Sequence, residues 1–378
     1  MLQMTQMSNL SIWDSANSWA VRPSLRTHLQ LADTIGYAVF ERPFRNRFDK
    51  RGMIFPEASD PFRRGRVDKC MEEQRMAQLT SRWYRDERDL ERMLALVTAS
   101  AMRDGLDAGH LHRGDVVWGL FQNLTIDPSS CIRLFEDGRG ALRGFVWLHP
   151  PRQFDIHVNT AMPVSPVMVA ELVRWAESHL EAGRMCLPEV PSSGVWLLPG
   201  LRSAGYHPTG SADYQLNARG LAAILEPTLP HGGVVRPVRV DDAEEVDARV
   251  NLHQEVWEPS KFTGEGYARL RTKPVYRPDL DFVAVTPDGE LAAYCIVWWD
   301  PETRTGEFEP VGTSARFRRQ GYGKALMLEA LRRLRTLGAE HAIVVSATAE
   351  TSEPARRLYA SLGFGVAAQF ERWEREAT

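Results

Sequence analysis

Apolar positions along the chain switch between two spacings, and each switch marks an element boundary. Glu87 to Met102 carries its apolar residues at helical spacing. After a mixed region, two apolar runs, Ser130 to Phe135 and Ala141 to Leu148, flank Glu136-Asp137-Gly138, a turn signal that makes them a hairpin. A strand at Phe154 to Val158, an amphipathic helix at Val167 to Leu180, a compact end at Leu201 to Tyr206 and a last strand at Tyr214 to Leu216 follow. The stretch Glu226 to Gly233 is dense in proline and glycine and reads as a linker.

Beyond the linker the order returns. Strand Val234 to Val238 precedes a helix opened by Asp241 or Asp242 as N-cap and running to Trp257. Strands Phe282 to Val285 and Leu291 to Trp298 embrace the turn Thr286 to Gly289. Strand Gly306 to Thr313, helix Lys324 to Leu337, strand Ala342 to Ser346, helix Glu353 to Leu362 and strand Val366 to Phe370 complete the unit. Leu142-Arg-Gly-Phe145 lies against Leu291-Ala-Ala-Tyr294, and Ser203-Ala-Gly-Tyr206 against Ser361-Leu-Gly-Phe364. The chain therefore reads as one α+β unit used twice, each copy a mixed, mostly antiparallel twisted sheet flanked by helices. The expected divisions are 1–75, 76–225, a linker at 226–233, and 234–378.

The first 75 residues intersperse Trp13, Trp19, Phe40, Phe44 and Phe48 with arginines and show no sustained period. They are expected to be a loosely ordered extension, or an over-long start with Met71 or Met76 as the beginning. A basic, aromatic docking arm is the alternative.

Composition narrows the class. With 43% hydrophobic and 25% charged residues in 378, the chain matches ordinary globular proteins. A formal net charge of −3 offers no global positive field for nucleic acid or an anionic membrane. The four cysteines lack a C-x-x-C pair, which argues against a zinc site or a disulfide framework and fits a reducing cytoplasm. No apolar run approaches the roughly 18 residues of a membrane span, and Met1 to Leu10 lacks a signal-peptide pattern.

The informative chemistry lies in Glu307 to Leu326, where a strand feeds a basic, glycine-bearing loop that opens into an amphipathic helix. Main-chain N–H groups from Arg319 to Lys324, unpaired at the helix start, suit a pyrophosphate, and the helix dipole adds to that. Gly321 and Gly323 are expected to let the phosphate approach, with Arg316, Arg318, Arg319 and Lys324 adding charge. A Walker loop is excluded, because Arg318 stands at its first glycine and Ala325 follows the lysine. A dinucleotide fingerprint is excluded by Leu326 at its third glycine.

What remains is R-x-x-G-x-G at Arg318, Gly321 and Gly323, followed by Ala355-Arg-Arg-Leu-Tyr-Ala-Ser-Leu-Gly-Phe364. This pair of segments resembles the GNAT superfamily of acetyl-CoA-dependent N-acetyltransferases over Val234 to Trp373. Tandem members with one active lobe, the mycothiol synthases among them, are similar in layout. The resemblance implies that acetyl-CoA is the co-substrate and that Val311, Gly312 and Thr313 offer backbone groups to its thioester and pantetheine. It implies that Arg318, Arg319, Gln320, Gly321, Tyr322, Gly323 and Lys324 hold the pyrophosphate. Ser352 stands where the family often has asparagine, and its plainer role is to cap the helix before Pro354. Tyr359 matches the family tyrosine that protonates the departing thiolate.

A base must take the ammonium proton of the acceptor, and Glu307 and Glu309 are the candidates. Alternation sets both on one face of a strand, where each raises the other's proton affinity; Glu307 matches the family's base and is favoured. A solvated strand face is the bland alternative. Trp257, Tyr267, Tyr276, Trp298 and Trp299 are expected mostly in the core, or else as an aromatic wall for a cationic amine. His110-x-His112 lacks further ligands for a metal and reads as a surface loop, so no metal is expected. Cys295 lies in an apolar strand without a base partner, so no acyl-enzyme is expected. The first lobe lacks glycines and arginines after Val158, and Leu201 stands where Tyr359 stands in the second, as in a degenerate copy. The expected activity is direct acetyl transfer to a primary amine of a small molecule or peptide, with a non-catalytic coenzyme-A-binding sensor as the alternative. No nucleic-acid or membrane partner is expected, and the sequence leaves the oligomeric state open.

Overall fold

The computed structural model describes residues 79–230 and 232–376; the expectations for residues 1–75 lie outside these. The first lobe runs β1 (Thr80–Trp83), α1 (Glu87–Asp104), α2 (Arg113–Phe121), α3 (Pro128–Cys131), β2 (Ile132–Glu136), β3 (Leu142–His149), β4 (Gln153–Val158), α4 (Pro166–Glu177), β5 (Met185–Pro191), α5 (Leu198–Ser203) and β6 (His207–Gly220). The second runs β7 (Val234–Pro237), α6 (Ala243–Val256), α7 (Gly264–Arg271), β8 (Asp281–Val285), β9 (Leu291–Asp300), β10 (Thr305–Thr313), α8 (Tyr322–Thr336), β11 (His341–Ala347), α9 (Glu353–Ser361) and β12 (Gly365–Arg375). Six strands thus answer six in the same order, apart from the short extra helix α3.

Local chemistry explains many boundaries. Asp86 caps α1 by accepting from the Arg88 N–H, and Asp242 caps α6 by accepting from Glu244 and Glu245. Sequence patterning misses β1, α2, α3, α7 and β5, and it makes the last strand of each lobe too short. Tyr214 to Leu216 is the middle of a 14-residue strand, and Val366 to Phe370 the first half of an 11-residue one.

Those two long strands join the lobes. The strands lie in one sheet, in the order β1-β2-β3-β4-β5-β12-β6-β11-β10-β9-β8-β7. The final strand of the second lobe, β12, pairs with β5 of the first, and β6 of the first pairs with β11 of the second. At the centre β6 and β12 pair with each other, antiparallel. The two copies have exchanged their last strands, so the linker at 226–233 separates two sets of strands but not two sheets. A shared core follows the same logic: Val117, Trp118 and Phe121 of α2 and Phe145 and Trp147 of β3 pack with Phe262, Tyr267, Ile296 and Trp298 of the second lobe. Burial of this kind, worth about 1.5–3 kcal/mol per large side chain, makes lobe separation costly.

Candidate functional site

The loop from Thr313 to Tyr322 is held at its base by α6. Glu255 Oε1 accepts from Ser314 Oγ at 2.8 Å and from the Ala315 N–H at 3.1 Å. Arg319 adopts φ 60° and Gly321 φ 97°, turning the chain into α8. No side chain caps that helix, and its first internal bond runs from the Ala325 N–H to the Gly321 carbonyl at 2.9 Å. The N–H groups of Tyr322, Gly323 and Lys324 at the first turn therefore point out of the helix end, beside exposed Arg318, Arg319 and Gln320.

The glycines act differently from the expectation. Gly321 serves the positive φ, whereas Gly323 is buried, and a Cβ there would come 2.6 Å from Thr313 Oγ1. Its bareness admits the Thr313 side chain. The Tyr322 ring is buried against Phe317, with centroids 5.7 Å apart, so only its main chain faces the loop. Arg316 is directed to Glu290 at 3.0 Å, and Arg318 Nε donates to the Thr313 carbonyl at 3.3 Å.

The first lobe closes the corresponding place. There α4 starts with Ser165, whose side chain accepts from the Met168 N–H at 3.2 Å, and with Pro166, which has no N–H to offer. Of these two corresponding helix starts, that of α8 is the uncapped one and lies beside basic side chains.

Strand β10 parts from its neighbour close by. It pairs with β11 at Thr305, Gly306 and Glu307 alone, and its register with β9 shifts between Phe308 and Val311. Val311, Gly312 and Thr313 lie beyond that divergence, paired on the β9 side with Cys295, Tyr294 and Ala293. Gly312 is required here, since a Cβ would meet the Tyr294 ring at 2.4 Å. The first lobe repeats the divergence: β4 and β5 pair only at Gln153 and Cys186.

Glu307 does not lie on a solvated face. It is 1% exposed and packed against the first lobe, where its Oε2 accepts the Asp115 N–H at 3.1 Å and lies 3.1 Å from His112 Nδ1. Burial pushes its carboxyl up to about 8; hydrogen bonds from Asp115 hold it down, and the charge of Glu309 adds to the rise. Asp115 is raised well above the carboxylate range, by burial first and then by Glu307. The effect of Glu309 on Glu307 expected from the sequence is present, but burial outweighs it. Glu309 is only partly buried, and its carbonyl accepts from Trp298 Nε1 at 2.6 Å. Its charge also acts on Glu189 and Tyr359.

His112 corrects another expectation: it belongs to no surface loop. It caps α2, accepts from the Gly114 N–H through Nδ1 at 3.1 Å, and is kept neutral by burial. His110 bonds Asp104 at 2.8 Å and stacks on Trp196 with centroids 4.3 Å apart. Among the described residues no three or more His, Cys, Asp or Glu side chains are placed so that they could hold a metal ion together. Ser352 precedes α9 but makes no side-chain cap, contrary to the capping role read for it; it is buried, at 7% exposure.

Tyr359 is buried on α9, 6.2 Å from the Phe364 ring, and burial, then the charge of Glu309, raises its phenol above the ordinary value. Cys295 is fully buried and its thiol is raised too, which removes it as a nucleophile. The aromatic wall does not form. Tyr267 and Tyr276 donate to Asp281 Oδ2 at 2.5 and 3.0 Å, and Trp298 lies under Gly114 with no exposure. Trp257 Nε1 donates to Tyr294 Oη at 2.7 Å, and the half-buried Trp299 packs against the core of the second lobe.

A cavity of about 50 Å3 occupies the divergence of β4 and β5 and reaches across the central strands to Val345 of β11. Asp115, Asp155, Glu189, His110 and His157 line it, with Trp196 and Phe370 among its apolar walls. Glu189 is raised well above the carboxylate range by burial and by Asp155, Asp115 and Glu309. Asp115 touches both this cavity and Glu307.

Known proteins share this design. A profile of the acetyltransferase (GNAT) family matches residues 247–364, which include the loop, the divergent strand and Tyr359. A mycothiol acetyltransferase of Segniliparus rotundus is 28% identical over 262 residues, 64% of this chain and 94% of the relative. A GCN5-related N-acetyltransferase from Sphaerobacter thermophilus has a similar fold, with TM-score 0.54, 19% identity, and coverage of 79% of this chain and 95% of that one. A tandem GNAT protein from the clavulanic acid biosynthesis pathway is similar at TM-score 0.54 and 17% identity, over 80% of this chain and 99% of its own. With the open helix start, the divergent strand and the matched segment in one lobe, residues 247–364 carry a GNAT acetyltransferase domain, and the chain shares its fold with tandem GNAT proteins.

Proposed function

We propose that the second lobe moves an acetyl group from acetyl-CoA directly to a primary amine, with no acyl-enzyme. The observation that carries this reading is Glu307: a carboxyl poised at about 8, beside the point where β10 leaves β11. A base with that proton affinity suits removal of an ammonium proton near neutral pH.

In this reading the main-chain amides from Arg319 to Lys324 hold the pyrophosphate, with Arg318, Arg319 and Lys324 balancing its charge and Gln320 at the rim. Val311, Gly312 and Thr313 direct the pantetheine arm and thioester, and a main-chain N–H near Val311 stabilises the oxyanion. Ser352 flanks the arm. The amine enters through the cavity, where the carboxyl groups of Asp115, Asp155 and Glu189 offer hydrogen-bond acceptors. Glu307 takes its proton and Glu309 steers the ammonium towards it. Tyr359, kept neutral by its raised phenol, donates to the departing thiolate.

The test is thiol release from acetyl-CoA across a panel of primary amines, with mass spectrometry of the product. The 28% identical relative puts an acceptor related to mycothiol on that panel. One or more amines should gain the mass of one acetyl group in place of a hydrogen, with matching thiol release. Coenzyme A binding without release for any amine contradicts the proposal and leaves a sensor.

A further inference from the structure

The oxygen of Glu307 that faces the first lobe is met by the start of α2. Gly114 brings that helix close: a Cβ there would lie 2.3 Å from Trp298 Cγ and 2.6 Å from Glu307 Oε2. His112 and Asp115 form a reciprocal cap in which Asp115 Oδ2 accepts the His112 N–H at 2.7 Å, fixing the Asp115 side chain. Its main-chain N–H then reaches Glu307 Oε2 at 3.1 Å, and its carboxyl group also bonds Glu307.

Two carboxyl groups in contact and away from water do not both ionise. The one that accepts the hydrogen bond between them gives up its proton first. Each accepts one main-chain N–H, Glu307 from Asp115 at 3.1 Å and Asp115 from His112 at 2.7 Å, and the bond between the two carboxyl groups lowers Glu307 and raises Asp115. The other groups facing the pair are neutral His112 from α2, Glu309 from β10 and, around the cavity that Asp115 lines, Glu189 from β5, Asp155 and His157 from β4 and His110, with Arg113 and Asp300, 3.5 Å apart, behind His112.

We propose that Asp115, supplied by the first lobe, is a positioning residue for Glu307, to which it donates hydrogen bonds from both its main-chain N–H and its carboxyl group. Asp115 keeps its proton and transfers nothing; it leaves Glu307 as the member of the pair that ionises. The copy without an open helix start thus completes the catalytic side of its partner lobe. The proposal rests on the reading of Glu307 as base, and its test separates the two.

The full chain, labelled with 13C at the glutamate side-chain carboxyl, is titrated by NMR, with Glu307→Gln identifying the Glu307 signal. Asp115→Asn retains a donor and should leave the midpoint in place. Asp115→Leu removes the donor and should raise the midpoint by about one unit, the size of one hydrogen bond to a charged group. A fall of a unit or more in Asp115→Asn would mean that Asp115 is the anion and would overturn the proposal, as would an unmoved midpoint in Asp115→Leu. If the leucine variant does not fold, the asparagine variant decides alone. None of these readings requires turnover. An acetylation rate unchanged in Glu307→Gln would remove Glu307 as base while leaving the titration result standing.

Discussion

The main-chain N–H of Asp115, in the first lobe, donates to Glu307 Oε2, in the second, across 3.1 Å and 192 positions of sequence. The contact joins the two lobes: the copy whose corresponding helix start is capped supplies the wall behind the proposed base.

Replacing Gly114 with alanine should damage stability and turnover together. The added methyl group collides with Trp298 and Glu307 at 2.3 and 2.6 Å, and overpacking of this kind costs about 1–3 kcal/mol. Calorimetric melting should show a lower transition temperature, with a fall in kcat measured well below it.

Glu307 gives turnover and stability opposite dependence on pH. Its folded pKa, about 8, lies above the ordinary carboxyl value of 4.5, so the folded chain holds more protons than the unfolded chain between those values. Its contribution to stability is therefore fully present below about pH 4.5 and is lost as pH rises through 8. Activity needs the ionised form, so kcat/KM should climb through neutrality and level off above about pH 8. Glu307→Gln should abolish this limb of the profile.

Tyr359→Phe should lower kcat by on the order of a hundredfold, the usual size of one positioned acid, with little change in the Kd for acetyl-CoA. The packing against Phe364 does not depend on the hydroxyl. Pre-steady-state thiol release would report it, and an unchanged rate would remove Tyr359 from the mechanism.

Gly321→Ala tests the loop. At φ 97° a side chain costs about 1 kcal/mol or more, and the strain falls on the amides proposed to bind pyrophosphate. Coenzyme A affinity should drop severalfold or more while the tyrosine and glutamate functions are untouched. Binding calorimetry checks it.

The loop and the duplication were legible because both are local. A strand, a basic glycine-bearing turn and an amphipathic helix lie within Glu307 to Thr336, and element order survives even where letters have drifted. Pairing of β12 with β5 and of β6 with β11 was not legible, since alternation shows that a segment is a strand but not which edge it joins. The burial of Glu307 was hidden for the same reason. Its own strand alternates as an ordinary half-buried one would, and the atoms that cover it belong to α2, a short helix in a stretch that periodicity left unassigned. His112 and Gly114 carried a faint signal, a capping residue and a glycine before Asp115, which acquires meaning only with Trp298 and Glu307 in place.

The central claim is that coenzyme A is held by the open start of α8 and not by the capped start of α4. Calorimetric titration of the full chain with coenzyme A tests it most directly. One equivalent should bind per chain, and Gly321→Ala should weaken that site. Two equivalents per chain, no heat at millimolar coenzyme A, or one equivalent insensitive to Gly321→Ala would contradict it.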